Sequence, residues 1–466
     1  MVRQLAWEVL RSGSATPLRE VNFAAEQVGL PPRDRGLLRR IVGTEVRHRA
    51  SLRAIVNKFA RGNPKADIRM HLHVALAQIF FMNRVPHRAA VSEAGNATRR
   101  TLGPSKVPYV NAILRTAIRE RRPGSMGDPM CDVYGTDWHF EEALFADPEK
   151  HPLLWIEEAL SIPSALAKRW VKHHGMERTI ELAKYFSAEP CLSLRVKGDR
   201  DAARDELTAY LAEQEGVSQD APQAAADERS APTRFLDGQH EQFLLVDGGS
   251  YGNLFHAPAF TEGRVTVQGE SAFRAADLIE AQSGEELLDL CAAPGGKTSV
   301  MAAAGAKVVA CDISEHKLRR LGETVERLGF GELVELVELD AKADQSDAAL
   351  GERDFDGVFI DAPCSNTGVL GARPGARWRF GKANQVSLRE LQAKLFQQGA
   401  ARVRPGGRLV WSTCSLETDE NAQQVHAFLG ENPTWSLEAE HEALPKWASH
   451  GGPIDGGYAA RLRRGN

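Results

Sequence analysis

Two stretches decide the fold, Phe359-Ile-Asp-Ala-Pro-Cys-Ser-Asn-Thr-Gly368 and Leu409-Val-Trp-Ser-Thr-Cys-Ser415. Each begins as an apolar run typical of a buried parallel strand, and a cysteine follows that run, Cys364 in the first and Cys414 in the second. The ligand crevice of an open α/β sheet lies at the carboxyl ends of its strands, so both cysteines can face one pocket. A thiolate there is a candidate nucleophile, and a pair suggests covalent catalysis with a second thiol as helper.

Strands and helices alternate along the chain from about residue 263, as a doubly wound sheet requires. The predicted strands lie at 286–290, 307–311, 333–339, 357–360 and 408–412. The predicted helices between them include 297–304, 315–328 and 388–403. The sequence therefore predicts a multidomain α/β protein whose C-terminal part, 263–466, is a doubly wound, Rossmann-like domain.

The first of these strands leads into a glycine-containing loop, Asp289-Leu-Cys-Ala-Ala-Pro-Gly-Gly-Lys-Thr298. Gly295 and Gly296 let a ligand approach the backbone closely, and the free N–H groups of the following helix favour an anionic ligand group. A phosphate-binding P-loop would need glycine five residues before its Gly-Lys pair, where this chain has Cys291. The dinucleotide pattern G-x-G-x-x-G is also absent, so the loop predicts a different nucleoside ligand.

Acidic residues end the second and third predicted strands, Asp312 and Asp340. An acid at the end of the second strand is well placed to accept hydrogen bonds from ribose hydroxyls. Taken alone, such acids are more often helix caps or solvated turn residues. In this order behind the glycine loop, they suit a nucleoside that carries a small zwitterion, namely S-adenosylmethionine.

The N-terminal part of the chain is basic. Residues 1–123 hold 23 Lys and Arg against 8 Asp and Glu, a net charge of +15 in a chain whose total is −4. Apolar residues recur there at helical spacing, so an all-helical domain is predicted over 1–123. A connector, 124–150, and a small α+β module, 151–262, are predicted to follow, with a surface loop near 218–234. An Arg-rich solvated helix face would explain the charge, but a nucleic-acid partner is favoured.

The six cysteines do not form a metal or disulfide pattern. No Cys-x-x-Cys occurs and no Cys/His cluster has zinc spacing, so no metal is expected. Six cysteines in 466 residues fit a reducing, cytoplasmic location better than a disulfide scaffold. No signal peptide or membrane-spanning run is found, and nothing points to an obligate dimer, so a cytoplasmic monomer without membrane contact is expected.

Five blocks of the chain resemble the RNA cytosine-C5 methyltransferases, and in particular the bacterial small-subunit ribosomal RNA type with a NusB-like N-terminal domain (the Sun/Fmu/RsmB type). The blocks are Leu-Asp-Leu-Cys-Ala-Ala-Pro-Gly-Gly-Lys-Thr at 288–298, Cys-Asp-Ile-Ser at 311–314, Asp-Ala-Pro-Cys-Ser at 361–365, Ser-Thr-Cys-Ser at 412–415 and Asp-Gly-Gly-Tyr-Ala-Ala-Arg-Leu at 455–462. The helical segments 68–94 and 110–118 resemble the NusB-like part of that type. The resemblance covers nearly the whole chain.

This resemblance implies a role for each candidate residue. Cys414 would be the nucleophile that attacks C6 of cytosine, Cys364 would assist release of the product, and Asp361 would contact the base near N3 or lie near the methyl group. It also implies S-adenosylmethionine as cofactor, an RNA substrate, expected to be ribosomal, a NusB-like RNA-binding domain at 1–123, an RNA-binding module at 151–262 and a methyltransferase domain at 263–466. The candidate cofactor-binding residues are Cys291, Ala292, Ala293, Pro294, Gly295, Gly296, Lys297, Asp312, Asp340 and Asp361.

The chain departs from the family pattern at two places. Gly269 and Phe273 are unusual in a turn at 267–273, so the contacts of that turn are open. The stretch 373–378 usually carries Asp and Lys, whereas here the acid is lost and Arg377 supplies the basic group. Arg and Lys are not interchangeable at a close site, so these positions are expected to bear on substrate choice.

Two other classes of protein compete with this interpretation. A non-enzymatic, NusB-like RNA-binding assembly or antitermination factor would use the basic N-terminal part alone, but the complete loop and both cysteines argue against it. A P-loop NTPase is disfavoured by Cys291. The DNA cytosine methyltransferases also use a Pro-Cys pair, as in Pro363-Cys364, but the second cysteine, Cys414, distinguishes the RNA class.

Overall fold

The computed structural model describes residues 1–83, 85–215, 233–247, 251–339, 347–447 and 453–466. Asp340 and nearly all of the predicted loop at 218–234 lie outside these residues. The chain forms two compact units. The N-terminal unit comprises Met1–Glu189 and Leu370–Gly381, and the C-terminal unit comprises Pro190–Val369 and Lys382–Asn466. This division differs from the four predicted segments, whose limits stay predictions.

The N-terminal unit is mainly helical, as its apolar periodicity predicts. Proline occupies the first position of several helices, where its missing N–H has no intrahelical partner to lose. The helices are α1 (Val2–Arg11), α2 (Pro17–Gln27), α3 (Pro32–Phe59), α4 (Ala66–Phe81), α5 (His87–Leu102), α6 (Val107–Glu120), α7 (Pro152–Leu160) and α8 (Ser164–Ser187). The buried face of α6, for example, consists of Val110, Ile113, Leu114 and Ala117 at helical spacing.

The predicted connector is more ordered than its sequence indicates. Within the described residues, a small antiparallel sheet in the order β1-β3-β2 is formed by β1 (Arg121–Pro123), β2 (Asp132–Val133) and β3 (Trp138–Phe140). Val133 and Phe140 are buried against the helical core, which explains why such short strands are held. Strands of two or three residues are too short to show a period in the sequence, so this sheet was not predictable.

The segment 370–381 belongs to the N-terminal unit although the chain on both sides of it belongs to the other. Arg377 is fully buried there and donates hydrogen bonds to the carbonyl oxygens of Arg47, Ser161, Phe186 and Leu370 at 2.8–3.3 Å. Burial lowers the pKa of Arg377 to about 9. The planar, multiply donating guanidinium suits this set of acceptors, which a lysine could not serve. The expectation that Arg377 bears on substrate choice is therefore corrected, because the residue is part of an interior.

The C-terminal unit begins with a small α+β module. The described residues hold an antiparallel sheet in the order β5-β6-β4-β7. Its strands are β4 (Leu192–Val196), β5 (Arg234–Asp237), β6 (Phe243–Asp247) and β7 (Val265–Val267), and its helices are α9 (Arg200–Glu215), α10 (Tyr251–Leu254) and α11 (Pro258–Thr261). Strands β4 and β6 thus form the centre of this sheet.

The remainder of this unit is a mixed sheet that, within the described residues, has seven strands in the order β10-β9-β8-β11-β12-β16-β13. The strands are β8 (Glu286–Asp289), β9 (Lys307–Asp312), β10 (Val334–Glu338), β11 (Phe355–Asp361), β12 (Val403–Thr413), β13 (Trp435–Ala443) and β16 (Gly457–Arg464), with a separate pair, β14 (Lys446–Trp447) and β15 (Pro453–Ile454). The helices are α12 (Glu270–Asp277), α13 (Thr298–Ala303), α14 (Glu315–Arg327), α15 (Asp347–Leu350), α16 (Lys382–Ala401) and α17 (Ala422–Glu431). The predicted Rossmann-like fold is confirmed.

The strand order fixes where a ligand can lie. β8, β9, β10, β11 and β12 are parallel, and the chain reverses direction across the sheet between β8 and β11. Neighbouring residues in a strand enter opposite apolar clusters, so Leu287 and Phe359 pack on one face while Leu288 and Ile360 pack on the other. Both faces are covered, and the crevice lies at the carboxyl ends of the parallel strands, at the switch point.

Candidate active site

The two candidate cysteines meet at the carboxyl ends of adjacent strands. β11 and β12 pair in parallel with Asp361 opposite Ser412, and the Sγ atoms of Cys364 and Cys414 lie 3.2 Å apart just beyond this pair. Cys364 is 9 % exposed and Cys414 is half-buried. The hydrogen bond with Cys414, burial, and the charges of Cys414 and Glu420 raise the pKa of Cys364 well above its ordinary value. Cys364 is thus held as a neutral thiol beside a more accessible one.

The loops that carry the cysteines are linked through their backbones. The N–H of Gly368 donates to the carbonyl of Cys414 at 3.0 Å. A Cβ atom at Gly368 would lie 2.7 Å from the carbonyl oxygen of Gly456, so only glycine fits there. Asn366 has a left-handed backbone, with φ of 61°, and its Oδ1 accepts from the Cys414 thiol at 3.3 Å. The relative position of the two sulfur atoms is therefore fixed by several independent contacts.

The candidate cofactor loop runs from Cys291 to Lys297, between β8 and α13. Gly295 has φ of +95°, and a Cβ atom there would lie 2.9 Å from Cγ of Leu321, so the loop requires glycine at this position. α13 is only six residues long, so its dipole contributes less than the sequence led us to expect. Burial and the charges of nearby aspartates raise the pKa of Cys291, which makes this thiol unreactive rather than nucleophilic.

Three carboxylates act electrostatically on Cys291, namely Asp289, Asp361 and Asp312. Asp289 is fully buried, accepts the Thr298 hydroxyl at 2.8 Å, and has its pKa raised to about 7 by burial. Asp312 is 6 % exposed and accepts Nζ of Lys317 at 3.0 Å. Asp361 forms an ion pair with Lys297 of the glycine loop. The structure thus brings Cys291, Lys297, Asp312 and Asp361 together, and Cys364 with Cys414, while Asp340 lies outside the described residues.

Sequence reasoning missed some of the polar residues at this site. Asp289 ends the first parallel strand as Asp312 ends the second, and that shared position was a usable signal. Lys317, in the first turn of α14, has no comparable signal in the sequence. Gln268, in the unusual turn, donates to the carbonyl of Gly296 at 2.9 Å and so supports the cofactor loop. Phe273 packs on Phe243 at a ring distance of 5.4 Å, so this departure is a core residue.

Two protein families match different regions of the chain. The model of the family described as 16S rRNA methyltransferase RsmB/F matches residues 276–451, and that of the NusB family matches residues 2–119. Over residues 276–451 the chain is similar to the RsmB/F methyltransferase family. Together the two matched regions span the helical N-terminal part and most of the mixed sheet, in the order that the resemblance implies.

Relatives named as ribosomal RNA methyltransferases match the chain over most of its length. A ribosomal RNA small subunit methyltransferase B of Klebsiella pneumoniae (strain 342) is 29 % identical over 484 residues, covering 98 % of this chain and 99 % of that protein. A probable enzyme of the same name from Bacillus subtilis (strain 168) is 26 % identical, covering 89 % of this chain and 84 % of that protein. The crystal structure of PH0851 aligns with a TM-score of 0.71 at 21 % identity, covering 99 % of this chain and 98 % of that one, which supports the fold alone.

These matches to ribosomal RNA methyltransferases support the same coarse assignment for this chain, an S-adenosylmethionine-dependent RNA methyltransferase. The residues present fit that cofactor, because carboxylates at strand ends accept from ribose hydroxyls and oppose the positive charges of a sulfonium and an ammonium group. None of the helices in the described residues is long and apolar enough to cross a membrane. Nor do the described residues contain a group of three or more His, Cys, Asp or Glu placed to hold a metal ion.

Proposed function

We propose that this protein methylates C5 of a cytosine in small-subunit ribosomal RNA, in the cytoplasm, through a covalent bond between Cys414 and C6 of the base. The observation that carries the proposal is the pair of thiols, 3.2 Å apart, at the carboxyl ends of two parallel strands. One thiol is a candidate nucleophile, and the other has a raised pKa and is suited to remain protonated beside it.

Cytosine C5 is a poor nucleophile, and this determines the order of the steps. The Cys414 thiolate adds to C6, so that a sulfur–carbon bond forms and electron density moves to C5. C5 then bonds to the methyl group that bound S-adenosylmethionine would supply, while the methyl–sulfur bond breaks and S-adenosylhomocysteine is left as the product. The C5 proton passes to solvent water and the bond between Cys414 and C6 breaks, so that the Cys414 thiolate leaves and the aromatic base is restored. Cys364, beside the departing sulfur, assists this last step.

Asp361 and Lys297 are the residues proposed to hold the reacting base and the cofactor in register. Lys297 lies in the glycine loop and Asp361 at the end of β11, and they form an ion pair. A hydrogen-bonding group near N3 of the base stabilises charge that develops there during addition. The target base must also leave its stack to reach this crevice, as for other enzymes that modify a base.

The basic N-terminal unit supports an RNA substrate rather than a small molecule. Phosphate contacts from arginines hold RNA without reading its sequence, which suits a domain of net charge +15 over residues 1–123. A purely RNA-binding assembly factor would need the same face but neither the paired thiols nor the carboxylates around Cys291. We therefore propose that the N-terminal unit binds RNA while the C-terminal unit carries out the transfer.

The direct test is to incubate purified protein with S-adenosylmethionine and small-subunit ribosomal RNA, followed by bisulfite sequencing. One or a few cytosines should become resistant to conversion. A transcript with uridine at the protected position is the matched control and should receive no methyl group. Methyl groups recovered on adenine, guanine or ribose would contradict the proposed cytosine chemistry.

Substituting alanine for Asp312 should weaken cofactor binding. Losing a carboxylate that accepts from hydroxyls costs about 1.5–3 kcal/mol, or roughly ten- to a hundredfold in dissociation constant. Isothermal titration with S-adenosylmethionine measures this directly. The matched control is Lys317→Ala, which removes the cation from the same ion pair but leaves the carboxylate. An equal loss in both variants would show that the ion pair, and not the acid, is what matters.

Removing exposed arginines from α3 should weaken RNA binding and its salt dependence. Arg33, Arg35 and Arg39 are exposed on α3. Each phosphate contact to a single strand contributes roughly 0.7 to the slope of log affinity against log salt, so the triple alanine variant should lose up to about 2. Filter binding between about 50 and 200 mM salt measures it. Arg319 and Arg320, exposed on α14, provide the control pair, and an equal effect from them would remove the N-terminal helix from the interface.

A further inference from the structure

Glu420 is a buried acid that the proposed reaction does not use. It lies between β12 and α17, six residues after Cys414, and its residue is 1 % exposed. Burying an ionised carboxylate is costly unless hydrogen bonds replace its water. The charge of Glu420 also contributes to raising the pKa of Cys364, which makes that thiol harder to ionise. Its partners therefore indicate what it does.

The carboxylate of Glu420 joins the two cysteine loops. Its Oε1 accepts the backbone N–H of Ser365 at 3.0 Å, and its Oε2 accepts the Ser365 hydroxyl at 2.5 Å. The hydroxyl of Ser415 donates to the same Oε2. Ser365 directly follows Cys364, and Ser415 directly follows Cys414. One carboxylate thus binds the residue after each thiol.

Further bonds hold Glu420 itself in place. Gln392 of α16 donates its Nε2 to Oε1 of Glu420 at 3.3 Å and to the carbonyl of Pro363 at 2.9 Å. The indole of Trp411, which is fully buried in β12, donates to the carbonyl of Glu420 at 3.2 Å. An ionised carboxylate only accepts hydrogen bonds, so both serine hydroxyls must point towards it. That fixes the direction of each hydroxyl and hence the course of each loop.

We propose that Glu420 is a positioning residue that holds Cys364 and Cys414 in register for successive formation and release of the covalent intermediate. This inference rests on the proposed function, because it assigns Glu420 to the step in which the bond between Cys414 and C6 breaks beside Cys364. Glu420 contacts neither substrate nor cofactor in the proposed reaction. It acts through Ser365 and Ser415, whose hydrogen bonds transmit its position to the adjoining thiols.

The substitution that tests this is Glu420→Gln, which keeps the size of the side chain but turns one acceptor oxygen into a donor. In one orientation of the amide the two serine hydroxyls face its NH2 group, and in the other the Ser365 N–H and Gln392 Nε2 do, so one set of donors loses its acceptor. Turnover should fall by roughly ten- to a hundredfold, since a small misplacement of reacting groups is costly, while KM for S-adenosylmethionine stays within about twofold. Turnover and KM should respond differently because the carboxylates assigned to the cofactor lie at the ends of β8, β9 and β11, whereas Glu420 follows β12.

A second readout does not depend on methylation. The native protein is treated with iodoacetamide without RNA or cofactor, and alkylation of each cysteine is followed by mass spectrometry. Cys364 should react about tenfold faster in Glu420→Gln than in the parent, because the loop restraint and the neighbouring charge are both removed. Alkylation reports on the environment of the two thiols and does not require that the protein methylate cytosine. The assay therefore distinguishes failure of the proposed function from failure of this inference.

The matched control is Glu285→Gln. Glu285 also lies against a buried partner, Arg408, but at the amino ends of the parallel strands, away from the cysteines. It should lower thermal stability without changing the ratio of Cys364 to Cys414 alkylation. If Glu420→Gln is recovered unfolded, the double variant Ser365→Ala/Ser415→Ala takes its place, with the same expected direction. Turnover and alkylation in the Glu420 or serine variants that match those of Glu285→Gln would overturn the proposal.

Discussion

Replacing Cys414 with alanine is expected to reduce methyl transfer by about a thousandfold or more, because a covalent route has no substitute for its nucleophile. Affinity for S-adenosylmethionine should stay within about twofold, since the carboxylates at the ends of β8, β9 and β11 remain. The measurements are transfer of labelled methyl to RNA and isothermal titration of the same preparation. Together they separate loss of chemistry from loss of the cofactor site.

The control for Cys414→Ala is Cys191→Ala. Cys191 is also partly exposed, and burial raises the pKa of its thiol, but it lies in the small α+β module next to β4. That variant should retain nearly all of its activity. If Cys414→Ala kept turnover within a few-fold of the parent, the nucleophile would have to be another group, and the assignment of this cysteine would fail.

Replacing Cys364 with alanine should give the opposite phenotype, a protein that forms the covalent bond to RNA but releases it slowly. Cys364 lies 3.2 Å from Cys414 and is held neutral beside it, so its loss leaves attack possible and removes the group next to the departing sulfur. On a denaturing gel, most of the protein incubated with RNA and cofactor should migrate as a slow adduct. The parent should show little or none.

The double variant Cys364→Ala/Cys414→Ala decides which thiol carries the adduct. It should give no slow band, because neither alanine can form a bond to C6. The two cysteines occupy equivalent ends of adjacent strands, so position alone does not order their roles. An adduct from Cys414→Ala and none from Cys364→Ala would exchange the two roles while leaving the reaction class standing.

Much of the fold was predictable because its central strands are buried on both faces. Each of β8, β9, β11 and β12 contains a buried apolar run and ends in a polar residue, so both the strands and their carboxyl ends were predictable from the sequence. The same rule placed Asp312, Asp361, Cys364 and Cys414 at one edge of the sheet before the structure was known. β13 is different, because six of its nine residues are exposed and three are glutamates, and an antiparallel strand at the sheet edge leaves only a weak pattern.

Other parts of the site depend on contacts that no local pattern records. Glu420 follows Cys414 by six residues and resembles any acid before a helix, and only its bonds to Ser365 and Ser415 distinguish it. Arg377 was expected to bear on substrate choice because it supplies the basic group in a stretch that departs from the family pattern. Three of its four acceptors come from α3, α8 and the α7–α8 turn, more than 180 residues away. Such long-range pairings follow from tertiary packing rather than from spacing.

The path of the chain at 370–381 makes the N-terminal unit discontinuous in sequence. The polypeptide leaves the catalytic sheet after the Cys364 loop, contributes Arg377 to the interior of the N-terminal unit, and then returns as α16. A cut after Glu189 would therefore leave the C-terminal unit complete but would deprive the N-terminal unit of Arg377, the donor to the carbonyl groups of Arg47, Ser161 and Phe186. A gene segment that encoded residues 1–189 alone would produce an N-terminal unit with an unfilled place in its interior.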